Sequence, residues 1–179
     1  MPEIQIRSAI TTDLSALMAI DHSCQTEYVW QMDVDHEDGQ FGAIFREIRL
    51  PHTVSVLYPR QVNALSESWS RRSGMLVAVI GGQAIGYIRA NDAIFPHTAW
   101  LMDVVVATRF RRQGVASALV LAAHSWAVQR KDRRVLLEMS SKNNPAIRLA
   151  QKLGYEFCGY NDQYYETLDI TLFFGRSIR

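Results

Sequence analysis

The spacing richest in chemistry runs from Asp103 to Leu119. A β-branched run, Val104, Val105 and Val106, passes into a basic connection holding Arg111, Arg112 and Gln113. Gly114 follows, and then Val115, Ala116 and Ser117 begin a run of small and apolar residues at helical spacing. This order spells strand, turn and helix. The first turn of a helix carries N–H groups with no partner inside the helix, and a glycine beside them lets another group come close. A phosphate suits that place, with Arg111 and Arg112 adding charge-assisted contacts. The spacing Arg111-x-x-Gly114-x-Ala116 is short, and a βα turn with its arginines in water reads the same way.

A second block lies downstream. The apolar run at residues 135–139 reads as a strand and carries Glu138; Asn143, Asn144 and Pro145 follow, then helical spacing up to Leu153, Gly154 and Tyr155. Pro145 suits a first helical turn, where its missing N–H costs nothing, and Gly154 suits the helix end.

The rest of the chain must position these two blocks. Ile4 and Ile6 alternate as in a first strand. Thr11 or Thr12 can cap a helix carrying Leu14, Leu17 and Met18, with Ile10 as a hydrophobic staple. After Asp21 the pattern dissolves, and the acidic run Asp33, Asp35, Glu37 and Asp38 follows. A calcium loop starting at Asp33 would need Gly at its sixth place and a carboxylate at its twelfth, which hold Asp38 and Ile44, so that reading fails. Solvated loop charge and a cation-attracting rim over an acceptor site both remain open. Phe41, Ile44, Phe45 and Ile48 share one helical face, and Pro51 ends that segment. A short strand is expected at residues 54–57 and connecting helix or loop at 62–69. Two apolar runs at 75–80 and 84–88 meet through Gly81-Gly82, a hairpin signal. The strand at 99–106 ends in three valines and so belongs mid-sheet. A helix at 115–129, a strand at 135–139, a helix at 145–153 and antiparallel strands at 155–160 and 168–174 complete the order.

The chain has 179 residues, 48% hydrophobic and 21% charged, with a net charge of +1. These values fit one globular domain, residues 1–179, and give no global reason to expect nucleic acid or a membrane surface. The longest small-apolar run is too short to span a bilayer, and the N-terminus has no secretory pattern. Cys24 and Cys158 show no Cys-x-x-Cys spacing, so idle thiols in a reducing cytoplasm are expected and a metal is not.

Together, Arg111-x-x-Gly114-x-Ala116, the strand residue Glu138, Asn143-x-x-Ala146-Ile147 and Leu153-Gly154-Tyr155 resemble the GNAT superfamily of acetyl-CoA-dependent N-acetyltransferases. The resemblance covers Ala99 to Tyr160. It implies an α/β (α+β) architecture of the GNAT type, a mixed, mostly antiparallel sheet of six to seven strands flanked by about four helices. It implies acetyl-CoA as acetyl donor, paired along Val104, Val105 and Val106, with its pyrophosphate on the loop from Arg111 through Arg112, Gln113, Gly114, Val115 and Ala116 to Ser117, and with Asn143 also in contact. Glu138 matches the family's catalytic base, set against the plain alternative of a strand carboxylate satisfied by an arginine. Asp103 supplies a second acidic group. A base is needed because an alkylammonium of pKa about 10.4 leaves only about one neutral amine in a thousand at neutral pH.

The family often carries a tyrosine, the acid for departing coenzyme A, where this chain has Ala150. Tyr165 is the chosen substitute, with Tyr160 and Tyr164 as alternatives; a thiol of pKa about 8.5 also leaves as thiolate. Residues 20–30, 45–51 and 157–165 are similar to streptothricin (nourseothricin) acetyltransferases. That narrower resemblance implies a small basic amine acceptor bearing a polycationic β-lysine chain, met by Tyr28, Trp30, Asp33 and Tyr164, and an antibiotic-resistance role. Other readings are a protein N-terminal acetyltransferase of the ribosomal-protein type and a non-catalytic acetyl-CoA-binding module. Homodimer formation is left open.

Overall fold

The computed structural model describes residues 3–67 and 74–178. In chain order the elements are β1 (Gln5–Ser8), a 3-10 turn leading into α1 (Leu14–Met18), β2 (Cys24–Glu37), β3 (Gln40–Val56), α2 (Ala64–Glu67), β4 (Gly74–Ile80), β5 (Gln83–Phe95), β6 (Thr98–Val106), α3 (Val115–Gln129), β7 (Arg134–Ser140), α4 (Asn144–Lys152), β8 (Glu156–Asn161) and β9 (Thr171–Ser177). Seven strands form one sheet in the order β1-β4-β5-β6-β7-β9-β8, while β2 and β3 pair as a separate ribbon. Among the described residues only the β6–β7 pairing is parallel, with α3 as its crossover. The expected fold class is borne out.

Period-2 alternation puts apolar side chains on both faces of this sheet. Met75, Val77 and Val79 of β4 turn toward Leu14, Leu17 and Leu65, whereas Ala78 turns toward the face packed by Leu119, Val120, Ala123 and Ala127 of α3. Each buried Leu, Val or Met among them contributes about 1.5–3 kcal/mol. The Gly81-Gly82 turn forms as read, with φ of +56° and +79° at its two residues, values that suit the twist of a two-residue hairpin.

The N-terminal cap differs from expectation. Asp13, not a threonine, reaches back to the Ile10 N–H (2.9 Å) and is gripped by both Arg7 Nη atoms at 2.7 and 2.8 Å. The Arg7 hydrogen bond holds the Asp13 carboxyl below its usual range. Ile10, expected as a hydrophobic staple, is exposed.

The larger correction covers residues 24–51, while the short strand expected at 54–57 forms as the end of β3. The stretch after Asp21, including the acidic run, is strand and turn, and the segment from Phe41 to Pro51 is strand instead of helix. Glu37 pairs with Gln40 around Asp38-Gly39, with φ +82° at Gly39, so this Asp-Gly dipeptide is a hairpin turn. Phe41 and Phe45 share one strand face, but Phe41 is 93% exposed while the Phe45 ring lies 5.4 Å from those of Phe157 and Tyr160. Helical spacing in one strand was outweighed by pairing with a partner upstream. Pro51 falls in an irregular stretch between the pairs Tyr28–Arg49 and Thr26–Val54, where its missing N–H breaks no ladder bond. The ribbon is tied to the sheet by the Trp30 N–H, which donates to the Ser141 carbonyl at 2.9 Å.

Candidate active site

Strand pairing itself opens the site. On one side β6 stays paired with β5 as far as Gly86–Val106; on the other it pairs with β7 only from Thr98–Arg134 to Leu101–Leu137. Beyond Leu101 the two strands diverge, and the β6 edge from Met102 to Val106 has no strand partner among the described residues. Val105 and Val106 are buried, so this edge offers backbone rather than side chains. An extended amide-bearing arm can pair there as an added strand would.

The edge leads into the N-terminus of α3. Gly114 is its N-cap at φ +86°, and nothing lies within 4 Å of where a Cβ would stand. The first helical bond runs from the Ala118 N–H to the Gly114 carbonyl at 3.0 Å, which leaves the N–H groups of Val115, Ala116 and Ser117 ahead of the ladder. Arg112 also takes a left-handed φ, +64°, strained for a residue with a side chain. Strain, open space and amides ahead of the ladder coincide at one cradle, the arrangement that anion binding requires.

Arg111 corrects the reading of its side chain. Its Nε donates to the Val106 carbonyl (2.8 Å), Nη1 to that of Ser23 (2.8 Å) and Nη2 to that of Asp21 (2.5 Å). It therefore staples the segment before β2 to the cradle, and added positive charge comes from the exposed Arg112. Arg111→Met is expected to cost about 2–4 kcal/mol, because a charged donor leaves three carbonyls at once; urea unfolding checks it, and a loss below 0.5 kcal/mol, roughly a surface substitution, would contradict the staple. Asn143 is likewise a helix cap, its side-chain oxygen accepting the Ala146 N–H at 3.2 Å.

Two buried carboxylates stand where β6 and β7 part. Asp103 is 4% exposed and Glu138 6%. Asp103 Oδ1 accepts Tyr58 OH at 2.5 Å and Arg60 Nη1 at 2.9 Å, and Oδ2 meets Nε of Arg89, its cross-strand neighbour, at 2.6 Å. Glu138 Oε2 accepts Trp100 Nε1 at 2.5 Å and Tyr164 OH at 3.0 Å; Oε1 pairs with Arg60 Nη2 and lies 3.5 Å from Tyr165 OH. Buried charges survive only when paired in this way. Burial pushes the Tyr165 phenol up to about 12, so it stays protonated at neutral pH. His22 is shifted down by burial and sits behind Tyr58, with its Nε2 3.2 Å from Tyr87 OH.

The sequence profile of the Acetyltransferase (GNAT) family matches residues 41–155. The chain belongs to this family. A streptothricin acetyltransferase of Streptomyces lavendulae is 25% identical over 167 residues, spanning 90% of this chain and 86% of that protein. The solved nourseothricin acetyltransferase superposes with a TM-score of 0.84 at 22% identity, over 98% of this chain and 99% of that one. A Bacillus anthracis protein solved in complex with acetyl coenzyme A gives 0.76 at 19% identity, over 98% and 100% of the two chains. As a GNAT acetyltransferase the chain is an enzyme that transfers acetyl from acetyl-CoA to an amine. The splayed edge and the open Gly114 cradle fit that donor's extended arm and its phosphates.

Around this GNAT centre the structure gathers Asp103, Glu138, Tyr164 and Tyr165, all singled out in the sequence. Trp30 and Asp33 are not among them. Trp30 Nε1 donates to Asn144 Oδ1 at 3.0 Å and the Arg148 guanidinium covers its ring at 5.6 Å, so the indole braces α4. Asp33 pairs with Arg46 across the ribbon at 3.2 Å, and the whole acidic run is exposed on the arm and its turn. Tyr28 is half-buried on β2, its backbone N–H donating to Thr26 Oγ1 at 3.1 Å. Arg60, Tyr58, Arg89 and Trp100 were not anticipated. Arg60 comes from an aperiodic connection, and nothing in its spacing signals the two carboxylates it joins; Arg89 could have been found from the β5–β6 pairing.

Proposed function

We propose that this N-acetyltransferase acts on a primary amine of a small polycationic acceptor of the streptothricin kind, in the cytoplasm, by direct transfer. The observation that carries the reading is the buried Asp103–Glu138 pair at the mouth of the β6–β7 splay, ringed by tyrosine hydroxyls. The likeness to the Streptomyces lavendulae protein supports the acceptor class.

In this reading the backbone of Val104, Val105 and Val106 aligns the donor, and the amides from Arg112 to Ser117 hold its phosphates. Bound acetyl-CoA supplies the thioester. Asp103 attracts the acceptor's ammonium, and Glu138 takes its proton so that a neutral amine reaches the carbonyl carbon. Tyr165, kept protonated by burial, gives a proton to the departing thiolate. Tyr164 orients Glu138 and, with Tyr28, offers aromatic surface to the remaining cationic chain.

The test is a comparison of kcat/KM, followed as thiol release, for streptothricin, spermidine and an N-terminal peptide of a ribosomal protein. Streptothricin is expected to exceed the others by at least about tenfold, roughly the effect of one extra ion contact; preference for the peptide would overturn the acceptor assignment.

A further inference from the structure

The Arg60 guanidinium touches three acceptors at the mouth of the splay. Nη1 donates to the Met102 carbonyl at 3.1 Å and to Asp103 Oδ1 at 2.9 Å, and Nη2 pairs with Glu138 Oε1. The Tyr165 ring forms a wall 5.2 Å from Cζ. The Met102 carbonyl belongs to the first residue of the unpaired β6 edge, so the group stands where the donor's arm and the acceptor must meet.

Three convergent acceptors of which two are charged, beside an aromatic face, match the three N–H donors of an alkylammonium. When Arg60 leaves, both carboxylates keep other partners and the Met102 carbonyl is freed for an incoming donor. Asp103 Oδ2 keeps Arg89, and Asp103 Oδ1 keeps Tyr58. Glu138 keeps Trp100, Tyr164 and Tyr165. Arg89 sits inside β5, whereas Arg60 is carried by the connection between β3 and α2 and its side chain is 18% exposed.

We propose that Met102 O, Asp103 Oδ1 and Glu138 Oε1 form the docking site for the acceptor's primary ammonium, and that Arg60 fills this site in the unliganded enzyme as an internal competitor which the acceptor displaces. The proposal deepens the amine-acetylation reading and rests on it. With Arg60 in place the two carboxylates and two arginines sum to zero charge, and Glu138 Oε1 is covered. Displacement seats the ammonium against that oxygen, so one N–H proton can pass to Glu138 and leave the nitrogen lone pair free. Arg60 is thus a specificity-determining residue: it excludes cations too weakly held to displace it, and the three acceptors favour a primary over a quaternary ammonium.

The test is calorimetric binding of 1,5-diaminopentane to the enzyme–coenzyme A complex, for the native chain, Arg60→Met, which keeps much of the stem on Tyr165, and Arg60→Lys. Removing a competitor that fills the site about nine-tenths of the time tightens apparent binding about tenfold. Arg60→Met is expected to show that gain, Arg60→Lys to reverse it, and millimolar guanidinium chloride to compete with the diamine in Arg60→Met only. Unchanged or weaker binding in Arg60→Met, or guanidinium strengthening its diamine binding, would overturn the proposal and make Arg60 a fixed positioning group. Should Arg60→Met fail to fold, the native chain decides: the bis-trimethylammonium analogue of the diamine must not compete, and equal competition overturns the site. Tight, Arg60-sensitive diamine binding without thiol release from any amine would uphold the docking site while sinking the acetylation reading.

Discussion

Gly114→Asp abolishes measurable acetyl-CoA binding. Three effects act in the same direction. At φ +86° any side chain costs about 1–2 kcal/mol in the left-handed region. The new Cβ and carboxylate enter open space beside the α3 N-terminus, where nothing lies within 4 Å of the Cβ position. A negative charge then sits near phosphate oxygens, where a separation of 4 Å at an effective dielectric of 20 costs about 4 kcal/mol. The sum predicts at least a thousandfold weaker binding, since each 1.4 kcal/mol is about tenfold. Gly114→Ala carries the backbone cost and a Cβ but no carboxylate and no charge, and is expected to weaken binding about tenfold, with the folded-state spectrum retained. Near-native affinity of the aspartate variant in calorimetry would remove the phosphates from this cradle.

Glu138→Gln lowers kcat by about 100- to 1,000-fold at neutral pH while acetyl-CoA affinity stays within about twofold, because general-base catalysis contributes on that order. The amide keeps an oxygen for Trp100 and Tyr164 and its size is unchanged, while its NH2 replaces the oxygen that paired with Arg60 and that ion pair is lost. The pH dependence carries the sign. As pH rises toward the amine pKa of about 10.4 the neutral amine becomes plentiful, and the deficit must shrink. A deficit constant from neutral to alkaline pH would leave Glu138 as the counter-ion of Arg60 and remove it from proton transfer.

The legible parts of the chain were those where chemistry and local structure share residues. The run from Val104 to Ser117 names its own strand, turn and helix, because a β-branched strand end, a left-handed glycine and small helical residues are local requirements. Glu138 was legible as a carboxylate on an apolar strand. The β2–β3 ribbon was not. Its Phe41, Ile44, Phe45 and Ile48 fit a helical face, and what decides their state is pairing around Asp38-Gly39, a turn signal present in the sequence but outweighed by that spacing. Arg111 misled for a related reason: a basic residue beside a phosphate cradle reads as a ligand, yet the backbone carbonyls of residues 21 and 23 arrive from far upstream and take its donors. Arg60, Arg89 and Tyr58 converge on Asp103 through tertiary approach, which no spacing along the chain reports.

The most direct test of the whole account is a rapid-quench experiment with acetyl-labelled acetyl-CoA bound to the enzyme and then mixed with streptothricin. The account predicts that label passes to an amide of the acceptor, one acetyl per coenzyme A released, with none on the protein at any time. Label accumulating on a protein side chain, or remaining on coenzyme A after many turnover times with streptothricin in excess, would contradict direct transfer to a streptothricin-type amine.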